Sequence, residues 1–162
     1  MTALAKVLLV DDESEFVAGL TQRLTQRNCS VTFAHSGKEA LAQLEEDKDT
    51  EVVILDVKMP GLDGIETLKL IKEKWPLVEV IMLTGHSTID SAINAIKLGA
   101  YDYILKPIEM EDLVSKIEKA ASRKRHRDKL ILDVYMTPYL TQREREERIA
   151  EILNPDSKSS GV

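Results

Sequence analysis

Five short apolar segments, each of strand length and each followed by polar side chains, constrain most strongly how this chain can fold. The segments span residues 6–10, 31–34, 52–55, 80–83 and 103–105. Between them, apolar residues recur every three or four positions, which predicts amphipathic helices. A regular alternation of strands and helices is typical of a parallel sheet with right-handed crossovers and helices on both faces. We therefore predict a doubly wound α/β fold with five strands.

Local signals at the helix ends agree with this order. Ser36 and Glu39 have the spacing of a capping box at the start of the second helix. Gly99 is placed as the C-terminal glycine of the fourth helix, whose apolar residues include Ile93 and Ile96. These signals predict where the helices begin and end.

Composition excludes several classes of protein. With 162 residues, 43% hydrophobic and 31% charged, the chain suits a single folded core rather than a disordered segment. No apolar run approaches the roughly 20 residues of a membrane helix, and the first residues lack the pattern of a signal peptide. We expect a cytoplasmic protein. The net charge of −6 disfavours nucleic-acid binding by the whole surface, although residues 123–127 form a basic run.

Side chains with potential for chemistry follow four of the five predicted strands. Asp11 and Asp12 follow the first strand, Asp56 the third, Thr84 the fourth and Lys106 the fifth. Ligands of open α/β sheets bind outside the carboxyl ends of the strands. We expect these five side chains to form one site at that edge of the sheet.

The residue types of this expected site suit phosphoryl chemistry. Neighbouring carboxylates repel one another, and oxygen ligands of this kind favour Mg²⁺, which also pairs with phosphate. Lys106 brings a compact positive charge and Thr84 a hydroxyl, and both can bind phosphate oxygens. A carboxylate such as Asp56 can carry a phosphoryl group covalently.

Four motifs in this order resemble the receiver domains of bacterial response regulators. They are Leu-Val-Asp-Asp-Glu at 9–13, Leu-Asp-Val-Lys-Met-Pro-Gly-Leu-Asp-Gly at 55–64, Leu-Thr-Gly at 83–85 and Leu-Lys-Pro at 105–107. The resemblance covers about residues 4–121. It implies a flavodoxin-like strand order, 2-1-3-4-5. We divide the chain accordingly into a receiver domain, 1–121, and a helical extension, 122–162.

The resemblance assigns the site residues. It implies that Asp56 accepts a phosphoryl group from a sensor histidine kinase or a phosphotransfer protein. Asp12, Asp56 and the backbone carbonyl of Lys58 would bind Mg²⁺, and Asp11 would assist through water. Lys106 would offset charge on the transferring group. The chain would then catalyse only its own phosphorylation and dephosphorylation, and it would not be an enzyme acting on other substrates.

Further positions are expected to govern the response. The resemblance implies that Thr84 and Tyr103 switch together on phosphorylation and reshape a surface that contacts a protein partner. Lys58 and His86, each two positions beyond a site residue, are expected to tune the lifetime of the phosphorylated state. Pro107 implies a cis peptide bond after Lys106.

The extension offers fewer signals. The fifth helix is expected to continue through the basic run at 123–127, and residues 142–153 form a second, polar helix after a capping-box pair, Thr141 and Glu144. The tail would pack on the receiver, pair with a second copy in a homodimer, or lead to an output domain. The basic run could bind nucleic acid, but no helix-turn-helix pattern accompanies it.

Two other classes of protein share parts of this pattern. A metal-dependent aspartyl phosphatase places a second acid two residues after its nucleophile, and here that position is Lys58. A pseudo-receiver, kept only for binding, lacks an acid, the threonine or the lysine of the site. All of these residues are present, so we favour the phosphoacceptor.

Overall fold

The computed structural model describes residues 3–85 and 89–155 of the chain. In these ranges strands and helices alternate up to the fifth strand, and two helices follow it. The elements are β1 (Ala5–Val10), α1 (Ser14–Gln26), β2 (Cys29–Ala34), α2 (Gly37–Glu46), β3 (Val52–Asp56), α3 (Gly64–Lys74), β4 (Glu79–Thr84), α4 (Ile89–Lys97), β5 (Asp102–Leu105), α5 (Met110–Met136) and α6 (Gln142–Leu153).

The strands form one parallel sheet in the order β2-β1-β3-β4-β5. Successive side chains of a strand point to opposite faces, so the apolar strands supply two cores. Leu9 and Ile54 pack with α1 and α5 on one face, whereas Leu8 and Leu55 pack with α2, α3 and α4 on the other. The predicted doubly wound fold and its strand order are confirmed.

Four strands begin one or two residues earlier than the apolar pattern predicted, and β2 and β4 are two of them. β2 begins at Cys29, and β4 begins at Glu79, a carboxylate that is only 1% exposed. A buried charge at a strand end needs a partner. That partner is Arg127 of α5, 48 residues further along the chain, which a local pattern could not reveal.

The helix ends follow the sequence signals with one exception. Ser36 Oγ accepts a hydrogen bond from Glu39 N at 3.1 Å, but the Glu39 carboxylate accepts from His35 N at 2.9 Å, so the reciprocal half of the expected capping box is not made. Gly99 has a φ of 103°, a left-handed conformation suited to glycine, and ends α4 as predicted.

The apolar face of α4 is less buried than its periodicity suggested. Ala95 is the buried residue of this helix, whereas Ile93 and Ile96 remain 47% and 48% exposed and Ile89 80% exposed. A small side chain faces the sheet, and the isoleucines form an apolar surface toward solvent.

The fifth helix runs through the basic segment without a break. α5 continues to Met136, and α6 packs back against it after the capping box of Thr141 and Glu144, as predicted. Arg125 and Arg127 bind acidic residues that precede β3 and begin β4, so α5 is held at the amino ends of the strands. None of the helices in the described ranges is both long and apolar enough to cross a bilayer.

Candidate functional site

The predicted site residues meet at the carboxyl edge of the sheet. The parallel register pairs Asp56 with Leu83 and Thr84 with Leu105, so the ends of β3, β4 and β5 lie side by side. They border a cavity of about 370 Å³. Its lining is Asp12, Glu13, Phe16, Asp56, Lys58, Thr84, Gly85 and Lys106.

Three carboxylates gather in this site. Each of Asp11, Asp12 and Asp56 places an oxygen within 4.8 Å of the others. Asp11 and Asp56 are buried, and Asp12 is exposed. Burial, followed by the negative charge of Asp11, raises the pKa of Asp56 to about 6, although Lys106 and the Lys58 N–H act in the opposite direction. This concentration of negative charge fits a divalent cation bound by oxygen ligands.

Asp11 is oriented by two hydrogen bonds. Its Oδ1 accepts from Glu13 N at 2.9 Å, and its Oδ2 accepts from Lys106 Nζ at 3.1 Å. Asp12 and Asp56 have no comparable side-chain ion pair among the described residues. Both oxygens of Asp11 are therefore engaged, whereas Asp12 and Asp56 face the cavity.

Lys106 is held over the site from two directions. Its Nζ lies 4.0 Å from the centre of the Phe16 ring as well as in contact with Asp11, and the peptide bond to Pro107 is cis, as the sequence implied. A cation over an aromatic face is attracted by the ring electrons. The sequence analysis gave Phe16 no role in the site; its place one helical turn after the acidic loop was the available signal.

Thr84 and Tyr103 lie on adjacent strands. Thr84 is buried at the end of β4 and lines the cavity, and its backbone oxygen accepts from Lys106 N at 2.8 Å. The Tyr103 side chain packs with the core formed by α2, α3 and α4, and its buried hydroxyl has no hydrogen-bond partner within the described ranges. A buried hydroxyl in this condition is costly.

Lys58 and His86 are the residues expected to tune the lifetime of the phosphorylated state. Lys58 lines the cavity, and its N–H lies 3.4 Å from Asp56 Oδ1. His86 lies outside the described residues.

Gly64 has a role that the sequence analysis did not assign. A Cβ atom at this position would lie 2.1 Å from the backbone oxygen of Asp56, and Gly64 N donates to Val57 O at 3.0 Å. Only glycine lets the start of α3 approach the Asp56 loop this closely. The Gly-Leu-Asp-Gly pattern at 61–64 carried this signal, but it could also indicate an ordinary turn.

Comparison with known proteins decides the family. The profile described as response regulator receiver domain matches residues 7–118, which include every site residue named above. The chain belongs to the response regulator receiver domain family. Its receiver segment ends within α5, so the rest of α5 and all of α6 lie beyond the family match.

Receiver domains of known structure share this fold. A response regulator receiver domain protein from Clostridium thermocellum is 40% identical with a TM-score of 0.72, covering 75% of this chain and 97% of that one. The receiver domain of NtrX from Brucella abortus is 33% identical with a TM-score of 0.67, covering 72% and 98%.

A curated relative is much longer than this receiver. The DNA-binding transcriptional regulator NtrC of Klebsiella pneumoniae is 39% identical over 114 residues, which make up 70% of this chain but 24% of that protein. The match therefore spans about a quarter of the relative, and it concerns the receiver alone.

Proposed function

We propose that this receiver takes a phosphoryl group on Asp56 from a sensor histidine kinase or a phosphotransfer protein. The observation that carries the proposal is the meeting of Asp56 with two further carboxylates and with Lys106 in one cavity at the strand ends. A carboxylate between acids and a lysine suits a nucleophile whose product carries additional negative charge.

In the proposed transfer, an oxygen of Asp56 forms a bond to phosphorus while the bond between phosphorus and the donor's imidazole nitrogen breaks. That nitrogen takes up a proton. Lys106 would move its charge from Asp11 toward the phosphoryl oxygens, and Thr84 would donate its hydroxyl hydrogen to one of them. The protein's contribution is positioning and electrostatic stabilisation.

The same residues fit a magnesium ion. We propose Asp12, Asp56 and the backbone carbonyl of Lys58 as direct ligands, with Asp11 assisting through water because both of its oxygens already accept hydrogen bonds. Bound Mg²⁺ would supply positive charge to the phosphoryl oxygens.

The proposed response is a shift between two conformations. The Tyr103 hydroxyl is buried and has no hydrogen-bond partner among the described residues, so a conformation that gives it one is favoured by the free energy of that hydrogen bond. When Thr84 turns toward a phosphoryl group, Tyr103 would move with it and change the surface of α4 and β5, where Ile93 and Leu105 are exposed. Lys58 and His86 would tune how long this state lasts.

We propose that the output is contact with another protein, in the cytoplasm, and that this chain has no catalytic role toward other substrates. Residues 1–121 would carry the receiver function and 122–162 the extension, although α5 crosses this boundary without a break. The basic run is an unsuitable surface for nucleic acid because Arg125 and Arg127 bind Glu51 and Glu79.

A second copy of the chain is a proposed partner through the far end of α5. Leu132, Tyr135 and Met136 follow the helical spacing i, i+3, i+4, and Tyr139 lies in the turn after α5; the four side chains are 59–100% exposed. Two copies joined through these side chains would bury on the order of 1,000 Å², the lower range of stable interfaces.

The decisive experiment is phosphoryl incorporation from acetyl phosphate, followed by intact mass. We expect one added phosphoryl group that requires both Mg²⁺ and Asp56, so that Asp56→Asn gives none. Asp49→Asn, at an exposed position away from the site, is the matched control and should label like the native chain. An unlabelled native chain would favour the pseudo-receiver, and continuous release of phosphate from a phosphate monoester would favour the phosphatase.

A further inference from the structure

A groove of about 580 Å³ lies between α5 and α6, beyond the segment that matches the receiver family. We call it the α5–α6 groove. Its apolar part is formed by Leu130, Val134, Ile152 and Pro155. The other seven lining residues are polar or charged. A volume of this size, with an apolar part and several polar groups, suits a small organic molecule.

Arg127 connects this groove to the receiver. The residue is 6% exposed and lines the groove, and its Nη2 atom donates to Glu79 Oε1. The Nε–H of the same guanidinium is buried and has no acceptor in the part of the chain that the structure describes. An unpaired buried donor costs free energy, which an added acceptor atom recovers.

The surroundings of Arg127 carry an excess of positive charge. Lys72 and Arg123 also lie around the single carboxylate of Glu79. Burial, together with the charges of Arg127 and Arg123, lowers the pKa of Lys72 to about 8 even though Glu79 acts against this shift. The receiver side of the groove therefore favours an anion.

The rim of the groove carries charges of both signs. Arg148 from α6 and His126 from α5 line it, together with the carboxylates Asp133 and Glu151. With the groups around Glu79 included, three guanidinium groups and the ammonium of Lys72 face three carboxylates, an excess of one positive charge. A ligand that matches this lining needs one anionic group and an apolar body.

We propose that the α5–α6 groove binds an organic anion in which a sulfonate, carboxylate or phosphate is attached to an apolar body. The apolar body packs on Val134 and Ile152, and the anionic group lies between Arg127 and Arg148. This site lies in the extension and is independent of phosphoryl transfer at Asp56.

The test uses anilinonaphthalene sulfonate, an aromatic anion whose fluorescence rises in apolar surroundings. We expect saturable binding to the full chain. Arg148→Gln should weaken the Kd about fivefold, since a partly exposed charge pair contributes about that factor. The matched control is Arg143→Gln on the same helix, at a side chain that is 89% exposed and absent from the groove lining, and it should leave the Kd unchanged.

Two further arms locate the site. N-phenylnaphthylamine, which has the same aromatic body without the sulfonate, should bind more weakly and should not respond to Arg148→Gln. Ile152→Gln should weaken the binding of both compounds, and Asp56→Asn should weaken the binding of neither. The proposal is overturned if the two arginine variants change the Kd equally, or if the neutral compound binds with the same affinity as the anion. It is also overturned if binding does not saturate, or if binding appears only as the chain dimerises.

Discussion

Arg127 of α5 and Glu79, the first residue of β4, form an ion pair in which both side chains are buried. Arg127 lies nine residues beyond the end of the family match, whereas Glu79 lies inside it. A buried ion pair thus joins the receiver sheet to the extension. Removing one partner leaves the other charged and buried, which costs far more than the net contribution of the pair.

We therefore expect Arg127→Met to lower the free energy of unfolding by about 3 kcal/mol. The double variant Glu79→Gln with Arg127→Met should recover much of that loss, because it removes the buried carboxylate together with its closest partner. Urea unfolding followed by circular dichroism measures both. Arg143→Gln, which removes an exposed ion pair on α6, is the control and should change stability by less than about 0.5 kcal/mol. A loss for Arg127→Met no larger than the control's would show that the extension does not support the sheet.

The raised pKa of Asp56 predicts how stability depends on pH without Mg²⁺. The folded pKa is about 6 against the ordinary 3.8 of a solvated aspartate, so the folded state holds this proton more tightly. Stability should fall as pH rises from about 4 to about 6, because the folded state must then lose the proton and hold three carboxylates together. Asp56→Asn should be more stable than the native chain at pH 7 by roughly 2 kcal/mol, with the difference vanishing near pH 4. Thermal unfolding at a series of pH values measures it, and a constant difference across that range would contradict the prediction.

Bound Mg²⁺ should offset the loss of stability that ionised Asp56 causes. A cation bound by Asp12 and Asp56 competes with the Asp56 proton, so Mg²⁺ should raise the melting temperature more at pH 7.5 than at pH 5. Asp12→Asn should lose most of the increase. Asp49→Asn, at the amino end of the sheet, should retain it. A Mg²⁺ effect of the same size in both variants would place the ion elsewhere.

Two glycines offer a matched test of close packing at the site. A Cβ at Gly64 would lie 2.1 Å from the backbone oxygen of Asp56. Gly64→Ala should therefore displace the Asp56 loop, destabilise the fold and slow phosphoryl incorporation. A Cβ at Gly19, within α1, meets nothing within 4 Å, so Gly19→Ala should stabilise the chain by about 0.5–1 kcal/mol. Incorporation rates and urea midpoints of the two variants give the comparison. A Gly64→Ala variant that labels at the native rate would contradict the assigned role.

The proposed contact between copies is tested by changing two exposed residues of α5. The double variant Leu132→Lys with Met136→Lys adds charge to the exposed apolar surface at the far end of α5. It removes no buried side chain, since these residues are 59% and 74% exposed. We expect the native chain to elute as a dimer at high concentration and the variant as a monomer. Leu70→Lys, on α3 and 40% exposed, is the control. If the native chain and the variant both elute as monomers, these exposed side chains of α5 do not join two copies.

The sequence predicted most of the fold and the positions of the site residues because both depend on local patterns. Apolar strand segments and the residues that follow them lie next to each other in the chain, and parallel pairing brings those ends together. The pairing of Glu79 with Arg127 was not predicted, because these residues are far apart in the chain and meet only where α5 crosses the sheet. The exposed isoleucines of α4 escaped it because periodicity shows that a helix has an apolar face, not what covers that face.

The continuity of α5 has a mechanical consequence. A helix of 27 residues is about 40 Å long, and Arg125 and Arg127 hold it between its two ends. One arm begins four residues after Lys106, beside the carboxyl edge of the sheet; the other carries the groove shared with α6. If the helix tilted about these ion pairs, its two ends would move in opposite directions.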